Sequence, residues 1–424
     1  MKYILLSSFL FVLTFLSKAH AQNYSQTVYG KVVHKTNLTA LSQASIEILN
    51  TNPQLGASSL PDGSFIIPSV PVGMYSIRVT NIGFATKQID NIVVSSGKQS
   101  YLEIALEEVS TQLKEVVVTS ETDKKRPVNS MSIIGTRMFS VEETQKFAAS
   151  IDDPSRMVTS LPGITTTSDG NDISIRGNSA NGVLWRLEGI EIPNPNHFAN
   201  IASSGGAISI LSSQLLANSD FLNGAFSAEY GDALSGVFDL RLRRGNYQKR
   251  EYTAQLGFLG MDASAEGPFH KNYSGSYLIN YRYSTLALIQ ALGIPLADGV
   301  TKFQDLAYNI YLPTNRLGNF TLFGLGGKSS KDEEETLLDF LGSHSVFKLT
   351  SGEISNTGVT GLIHSKIINE KINIKSVLAI SGYHIGNTQD RQDGQEDPRM
   401  IENNQYQQKN IALSSTLNIQ TGRL

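Results

Sequence analysis

Catalytic chemistry would need nucleophiles, bases or metal ligands at workable spacings, and the chain offers few. It contains no cysteine, which excludes disulfides, thiolate metal sites, a catalytic thiol and a cysteine-linked N-terminal lipid. Its seven histidines are scattered without paired ligand spacing, so no zinc site is expected. Gly324-Leu325-Gly326-Gly327-Lys328-Ser329 invites comparison with a phosphate-binding loop. That motif needs glycine five places before Gly327, and Leu322 stands there. Asn319 to Leu325 reads better as a strand. Two acidic stretches, Lys331 to Glu335 and Asp390 to Asp397, lack the alternating ligand spacing of a calcium loop and read as solvated extracellular loops. No cofactor or metal is expected. A formal net charge of −3 argues against a general nucleic-acid binder.

A different chemistry is available to Leu113-Lys114-Glu115-Val116-Val117-Val118-Thr119-Ser120. This run is β-branched at its centre and is followed by the charged, proline-stopped Glu121 to Pro127. An apolar strand between two domains has N–H and C=O groups free on both edges, a handle for a partner that adds a strand. The same residues also read as the last strand of the preceding domain, and the two readings are compatible.

The elements that would position this handle can be taken in order. Met1-Lys2, an apolar Tyr3 to Leu16 and the small-x-small Ala19-His20-Ala21 form an export signal over residues 1–21. Residues 25–108 show short strands at Val28 to Val33, Ser45 to Leu49, Phe65 to Ile67, Met74 to Thr80, Ile92 to Val94 and Tyr101 to Leu106. Turns at Pro61-Asp62-Gly63 and Pro71-Val72-Gly73 separate them, the pattern of a small β-sandwich. After a linker over 109–129, residues 130–245 read as a mixed domain. Val141 to Phe147 is a candidate helix; a second starts at Asp153, with Pro154 at its first position, and ends by Leu161-Pro162. Strands follow at Asp172 to Arg176, Val183 to Leu187, Ile190 to Ile192 after a Glu188-Gly189 turn, and Ser235 to Arg243. In the last, Phe238, Leu240 and Leu242 predict an apolar face opposite Val237, Asp239 and Arg241.

Past Gly245 the pattern becomes amphipathic strands. Tyr252, Ala254, Leu256 and Phe258 oppose Glu251, Thr253 and Gln255; Tyr277, Ile279, Tyr281 and Tyr283 oppose Ser276, Asn280 and Arg282. Ile372, Ile374, Leu378 and Ile380 oppose Lys371, Asn373 and Lys375, and Ile411 to Ile419 repeat the alternation. Strands of about ten residues with one apolar face suit a membrane β-barrel, and equally a soluble sandwich.

Two resemblances bear on this. Gly30-Lys31-Val32-Val33, Ala44-Ser45-Ile46, Asp62-Gly63-Ser64-Phe65, Pro71 to Tyr75 and Ile82-Gly83-Phe84 resemble the carboxypeptidase regulatory-like domain, a transthyretin-like sandwich without catalytic residues of its own. No His-x-x-Glu zinc pair accompanies it. Asp153-Pro154 through Leu161-Pro162-Gly163-Ile164, Ile173 to Gly177, Leu187 to Pro193, and Gly224 to Gly231 followed by Ser235 to Leu240 resemble, in this order, the plug of TonB-dependent outer-membrane receptors. The second resemblance implies a plug over 130–245 carrying the motif residues Arg176, Gly177, Glu188, Gly189, Tyr230 and Gly231. It makes 246–424 the first strands of an incomplete transmembrane antiparallel β-barrel. Arg176 and Glu188 are then expected as buried structural charges. The segment Leu113, Lys114, Glu115, Val116, Val117, Val118 and Thr119 becomes a TonB-box-like partner site for a periplasmic energy transducer.

The fold class expected is therefore mainly β: a sandwich, an α+β plug, then a partial barrel. The function expected is uptake of a small ligand across the outer membrane, with lipid around the barrel and the sandwich in the periplasm, and no enzyme activity. An exported β-domain adhesion or scaffold protein is the alternative. Asn223 to Ala228 departs from the Asp-Ala-Ser-Ala run of receptors that work with a surface lipoprotein, which counts against a lipoprotein partner and a polysaccharide substrate. A plugged barrel has about 22 strands, and residues 246–424 carry too few, so the sequence is expected to be the N-terminal part of a longer receptor.

Overall fold

The computed structural model describes residues 24–35, 38–96, 98–108, 136–139, 153–166, 172–199, 205–206, 208–224, 226–257, 260–271, 273–285, 301–338, 346–369, 371–393 and 396–419. The export signal, the Leu113–Ser120 segment and the Val141–Phe147 helix all lie outside the described residues.

The first unit is a two-sheet sandwich of β1 (Ser25–His34), β2 (Ser45–Ile48), β3 (Leu55–Ser58), β4 (Ser64–Pro71), β5 (Gly73–Thr80), β6 (Lys87–Val94) and β7 (Ser100–Leu106). One sheet runs β4-β1-β7, with β7 parallel to β1, and the other β3-β2-β5-β6. Alternate residues of both sheets meet in a core of Val28, Val32, Ile46, Ile48, Phe65, Ile67, Ile77, Val79, Ile104 and Leu106. In β7 the alternate residues Leu102, Ile104 and Leu106 all turn to this core. β3, Leu-Gly-Ala-Ser, carries no β-branched residue and no sequence signal; pairing with β2 makes it a strand.

The second unit contains β8 (Thr136–Phe139), α1 (Pro154–Met157), β9 (Ile164–Thr166), β10 (Ile173–Ile175), β11 (Val183–Leu187), β12 (Ile190–Glu191), β13 (Asn196–His197), β14 (Ile208–Ser209), β15 (Ser219–Leu222) and β16 (Gly236–Leu240). Asp153 caps α1 by accepting from the Ser155 N–H at 2.8 Å, and Pro154 opens the helix. A 3₁₀ turn at Val158–Ser160 follows, and Leu161, ahead of Pro162, is already extended. The main sheet runs β12-β11-β16-β15-β8.

In β16 the structure corrects the expected polar face. Phe238 and Leu240 enter the main plug core, but Val237 joins Leu184, Leu222 and Tyr230 in a second apolar cluster on the opposite side. Asp239 is buried too, accepting a hydrogen bond from the Tyr230 hydroxyl at 3.1 Å. A central strand covered on both faces has no solvent side to show.

The third unit is one antiparallel sheet of β17 (Glu251–Leu256), β18 (Gly260–Pro268), β19 (Ser276–Ser284), β20 (Lys302–Thr314), β21 (Gly318–Leu338), β22 (Val346–Asn369), β23 (Ile372–Asp393) and β24 (Arg399–Ile419), in chain order and not closed. Period-two burial is clear in β19: Leu278 is 0% exposed and its neighbour Ile279 is 41%. The face bearing Ile279, Tyr281, Leu306, Leu378, Ile380, Ile411 and Leu413 is exposed. The other face meets the plug. β21 to β24 run 21 to 24 residues, about twice what crossing a bilayer requires. The acidic stretches expected as loops lie in these extensions. Lys331 to Glu335 belong to β21 and Asp390 to Asp393 to β23, and Glu334 and Asp393 pair with Lys348 at 2.6 Å and Arg391 at 2.9 Å. Pairing along the ladder satisfies their backbone, which a charge count cannot register.

Phe238 stacks on Trp185 (centroids 4.1 Å apart, 6° between planes) and meets the Phe221 ring tilted at 51°, 4.7 Å away. Phe238→Ala is expected to destabilise the plug by about 3–5 kcal/mol, measured as a lowered urea midpoint for amide protection of β11 and β16.

Candidate functional site

The site is the seam between the plug and the inward face of the sheet. Its apolar part is a single core in which Ile192, Ile210, Leu211 and Trp185 of the plug join Leu278, Ala307, Phe323, Leu325, Val359, Ile363, Val377 and Ala379 of the sheet. Inward-pointing polar groups interrupt it, and Asp262, Arg282 and Asp305 among them reach the plug.

Asp305 of β20 is 4% exposed. Arg282 of β19 donates to Asp305 Oδ2 through Nε at 2.8 Å, with Nη2 at 2.6 Å. His197 of β13, fully buried, brings Nε2 to 2.6 Å from Asp305 Oδ1. Arg282 also donates to the Ser209 carbonyl of β14, and its guanidinium lies 5.2 Å over the Phe303 ring. One carboxylate thus holds a cation from the wall and a plug imidazole at once. Below it, Asp262 of β18 accepts from Asn280 Nδ2 at 2.6 Å and from Ser212 Oγ of the plug at 3.2 Å.

At the rim, Arg243, just past the plug, makes a bidentate pair with Glu266 of β18 at 2.8 and 2.9 Å. Glu266 is 2% exposed. Lys98 of the sandwich reaches the same carboxylate at 2.5 Å, and burial together with nearby Arg243 holds its ammonium below the usual lysine range. Burial raises the Tyr101 hydroxyl above its ordinary range, and the Glu103 charge adds to it.

The residues nominated from sequence fall as follows. Leu113, Lys114, Glu115, Val116, Val117, Val118 and Thr119 lie outside the described residues. Arg176-Gly177 and Glu188-Gly189 each form the centre of a two-residue turn with both φ positive: 52° and 79°, 56° and 90°. A type I′ turn demands this, and glycine at the second position is what makes the conformation affordable. Arg176 is exposed, which corrects the expected buried charge: a turn tip projects from the plug, and its guanidinium lies along Gly224. Glu188 is mostly buried and paired. Its Oε1 accepts from the Leu242 N–H at 2.8 Å, and its Oε2 lies 3.7 Å from Lys375 Nζ of β23. Tyr230 is buried under the Arg186 guanidinium at 4.8 Å, and Arg186 in turn donates to the Gly189 carbonyl at 2.9 Å. Gly231 is exposed, with open space where a side chain would stand. Glu188, Gly189 and Tyr230 are therefore drawn together, while Arg176, Gly177 and Gly231 stand at the plug surface.

Sequence reasoning missed His197, Arg243, Asp262, Glu266 and Asp305. The available signal was positional: Asp305 and Asp262 occupy the polar phase of alternating strands, where an inward charge needs a partner.

Gly327 of β21 shows how close the seam is. A Cβ there would stand 2.4 Å from Asp305 Oδ1, 2.7 Å from His197 Cε1 and 3.0 Å from Ile210 Cδ1. Gly327→Ala is expected to weaken plug seating by about 1–3 kcal/mol, seen as faster amide exchange at 196–197 and 208–211. Gly326→Ala, whose Cβ would meet only strand backbone at 3.2 Å, serves as the control; equal effects from both would refute the assignment.

Comparison with known proteins agrees with this anatomy. Residues 27–107 match the carboxypeptidase regulatory-like domain and residues 136–237 the TonB-dependent receptor plug domain. No curated protein matches the chain. Among solved structures, the siderophore receptor PirA of Acinetobacter baumannii is similar at 13% identity, over 63% of this chain and 58% of that one, with a TM-score of 0.32. A mutant ferric enterobactin receptor of Pseudomonas aeruginosa gives 12%, 68%, 56% and 0.34, and the outer membrane transporter YddB of Escherichia coli 11%, 68%, 54% and 0.35. The chain spans just over half the length of these structures. With a carboxypeptidase regulatory-like domain, then a TonB-dependent receptor plug, then an antiparallel sheet, the chain fits a TonB-dependent receptor with an N-terminal regulatory-like domain.

Proposed function

We infer that the protein is an outer-membrane receptor that takes up a small ligand when a TonB-type periplasmic transducer acts on Leu113–Thr119. One observation carries this reading: the two faces of the sheet have opposite occupants. Isoleucine, leucine and tyrosine cover the exposed face, as a lipid-facing wall requires, while the plug fills the other through a shared apolar core. An adhesion scaffold would have no use for a module seated in that position.

The direction of the sheet supports a periplasmic sandwich. The connections at 269–275, 315–317 and 370–371 lie at the end where Lys98 and Gln99 of the sandwich meet Glu266 and Glu251. Short turns mark the periplasmic side of such barrels. At the other end the strands extend into charged ladders suited to the cell exterior. No step in this reading is enzymatic: the side chains of the seam bind, hold and yield. Its groups are paired in reversible contacts, and energy comes from the transducer.

Val117→Pro removes a ladder donor at the centre of the coupling segment. Capture of the receptor by the soluble periplasmic domain of the transducer is expected to fall at least about tenfold, with membrane insertion unchanged. Undiminished capture would rule the segment out as the handle.

A further inference from the structure

The sandwich does more at the rim than touch it. Residues 243–250 form the tether from the plug to the first wall strand, and the sandwich grips this tether along its length. Lys98 meets Glu266 at 2.5 Å, the carboxylate that also holds Arg243 and accepts from the Asn246 N–H at 2.9 Å. Gln99 accepts from Asn246 Nδ2 at 2.9 Å, and its own N–H donates to Glu251 Oε1 at 3.0 Å. Glu103 lies 3.4 Å from Arg244, whose guanidinium stacks 4.0 Å over Tyr311 of β20. Tyr247 sits edge-on between Tyr29 and Tyr101 of the sandwich, 5.6 and 6.4 Å from their centroids. Four of the five tether positions 243–247, all but Gly245, are thus held by the sandwich or by a group it shares. At Gly245 itself the chain passes so near Tyr277 that a Cβ would overlap its carbonyl.

We propose that the N-terminal sandwich is a rim-docked clamp that, through Lys98, Gln99, Glu103 and the Tyr29–Tyr101 pair, immobilises the 243–247 tether joining plug to wall. The interface is polar and charged apart from three tyrosines, the make-up of a contact that separates rather than a permanent core. The depressed Lys98 ammonium is consistent with that, since its burial offsets part of the attraction. The docking also fixes where the coupling segment begins. Glu108 is bridged to Phe84 within the sandwich, and Leu113 follows five residues later, a reach of at most about 18 Å. On the reading of Leu113–Thr119 given above, a clamped sandwich keeps the handle close to the rim, and travel beyond that leash requires undocking. The clamp itself stands without that reading.

The absence of native cysteine makes the test clean. In outer-membrane vesicles carrying the full-length protein, Gln99→Cys with Asn246→Cys is expected to form an intrachain cross-link with a short bismaleimide, which spans the longer gap a Gln–Asn side-chain contact leaves, seen as a mobility shift absent without the reagent. Gln99→Cys with Glu402→Cys, at the far end of β24, is expected to form none. Adding Lys98→Ala should slow closure of the first pair about tenfold. Separately, Lys98→Ala in the cysteine-free chain should speed amide exchange at 244–247 by a similar factor while β1 amides keep their protection, which shows that the sandwich remains folded. Closure no faster than in the control pair, or unchanged exchange at 244–247, overturns the clamp. Neither readout uses a transducer or a ligand, so neither depends on the transport reading.

Discussion

A strand that points Ile279, Tyr281, Leu378 or Ile380 outward must point its intervening residues inward, and in this sheet those include Asp262, Glu266, Asn280 and Asp305. Burying such groups without partners costs several kcal/mol each. This face of the sheet is therefore incomplete without the module seated on it. The plug supplies what is missing: the His197 imidazole to Asp305, the Ser212 hydroxyl to Asp262, and a path by which Arg282 reaches the Ser209 carbonyl. The dependence runs both ways. Ile192 and Ile210 of the plug complete their apolar surroundings only against Leu325, Val359 and their neighbours. Most of what the structure does follows from this mutual completion, including the need for glycine at position 327, where any side chain would occupy the space of the contact.

How far the sequence carried depended on how local each determinant was. Asp153-Pro154 opened α1 as expected because capping and the proline φ act within one turn. The strand β19 was legible from its period, and Glu188-Gly189 from its turn chemistry. Failures came where a distant element decided the outcome. Val237 and Asp239 alternate like a solvent face, yet Tyr230 and Arg186 arrive from elsewhere to cover them. The acid-rich runs after Lys331 and Asp390 have the composition of loops but pair along long ladders, since register with β22 satisfies their backbone. Arg176 looked like a buried charge because the motif is plug-like; its place at a turn tip, a matter of φ, sets it outside. Asp305 and His197 lie 108 residues apart in the chain, so nothing local could join them.

The two ends of the plug are attached very differently. On the C-terminal side, Arg243 is fixed to Glu266 and to the Gln214 carbonyl, and the sandwich closes over the residues that follow. On the N-terminal side, β8 is the edge strand of the plug sheet among the described residues, paired there only to β15 over the four positions Thr136 to Phe139. A short edge strand holds few backbone bonds, and a strand peeled from its free end loses them one after another rather than together. The inner strands β11 and β16 are paired on both sides and carry the stacked rings of Trp185 and Phe238. On the uptake reading proposed above, tension applied ahead of Thr136 would reach this four-position edge pairing before the doubly paired strands β11 and β16. The order of the strands thus sets a singly paired edge on the N-terminal side of the sheet and a doubly paired aromatic centre within it.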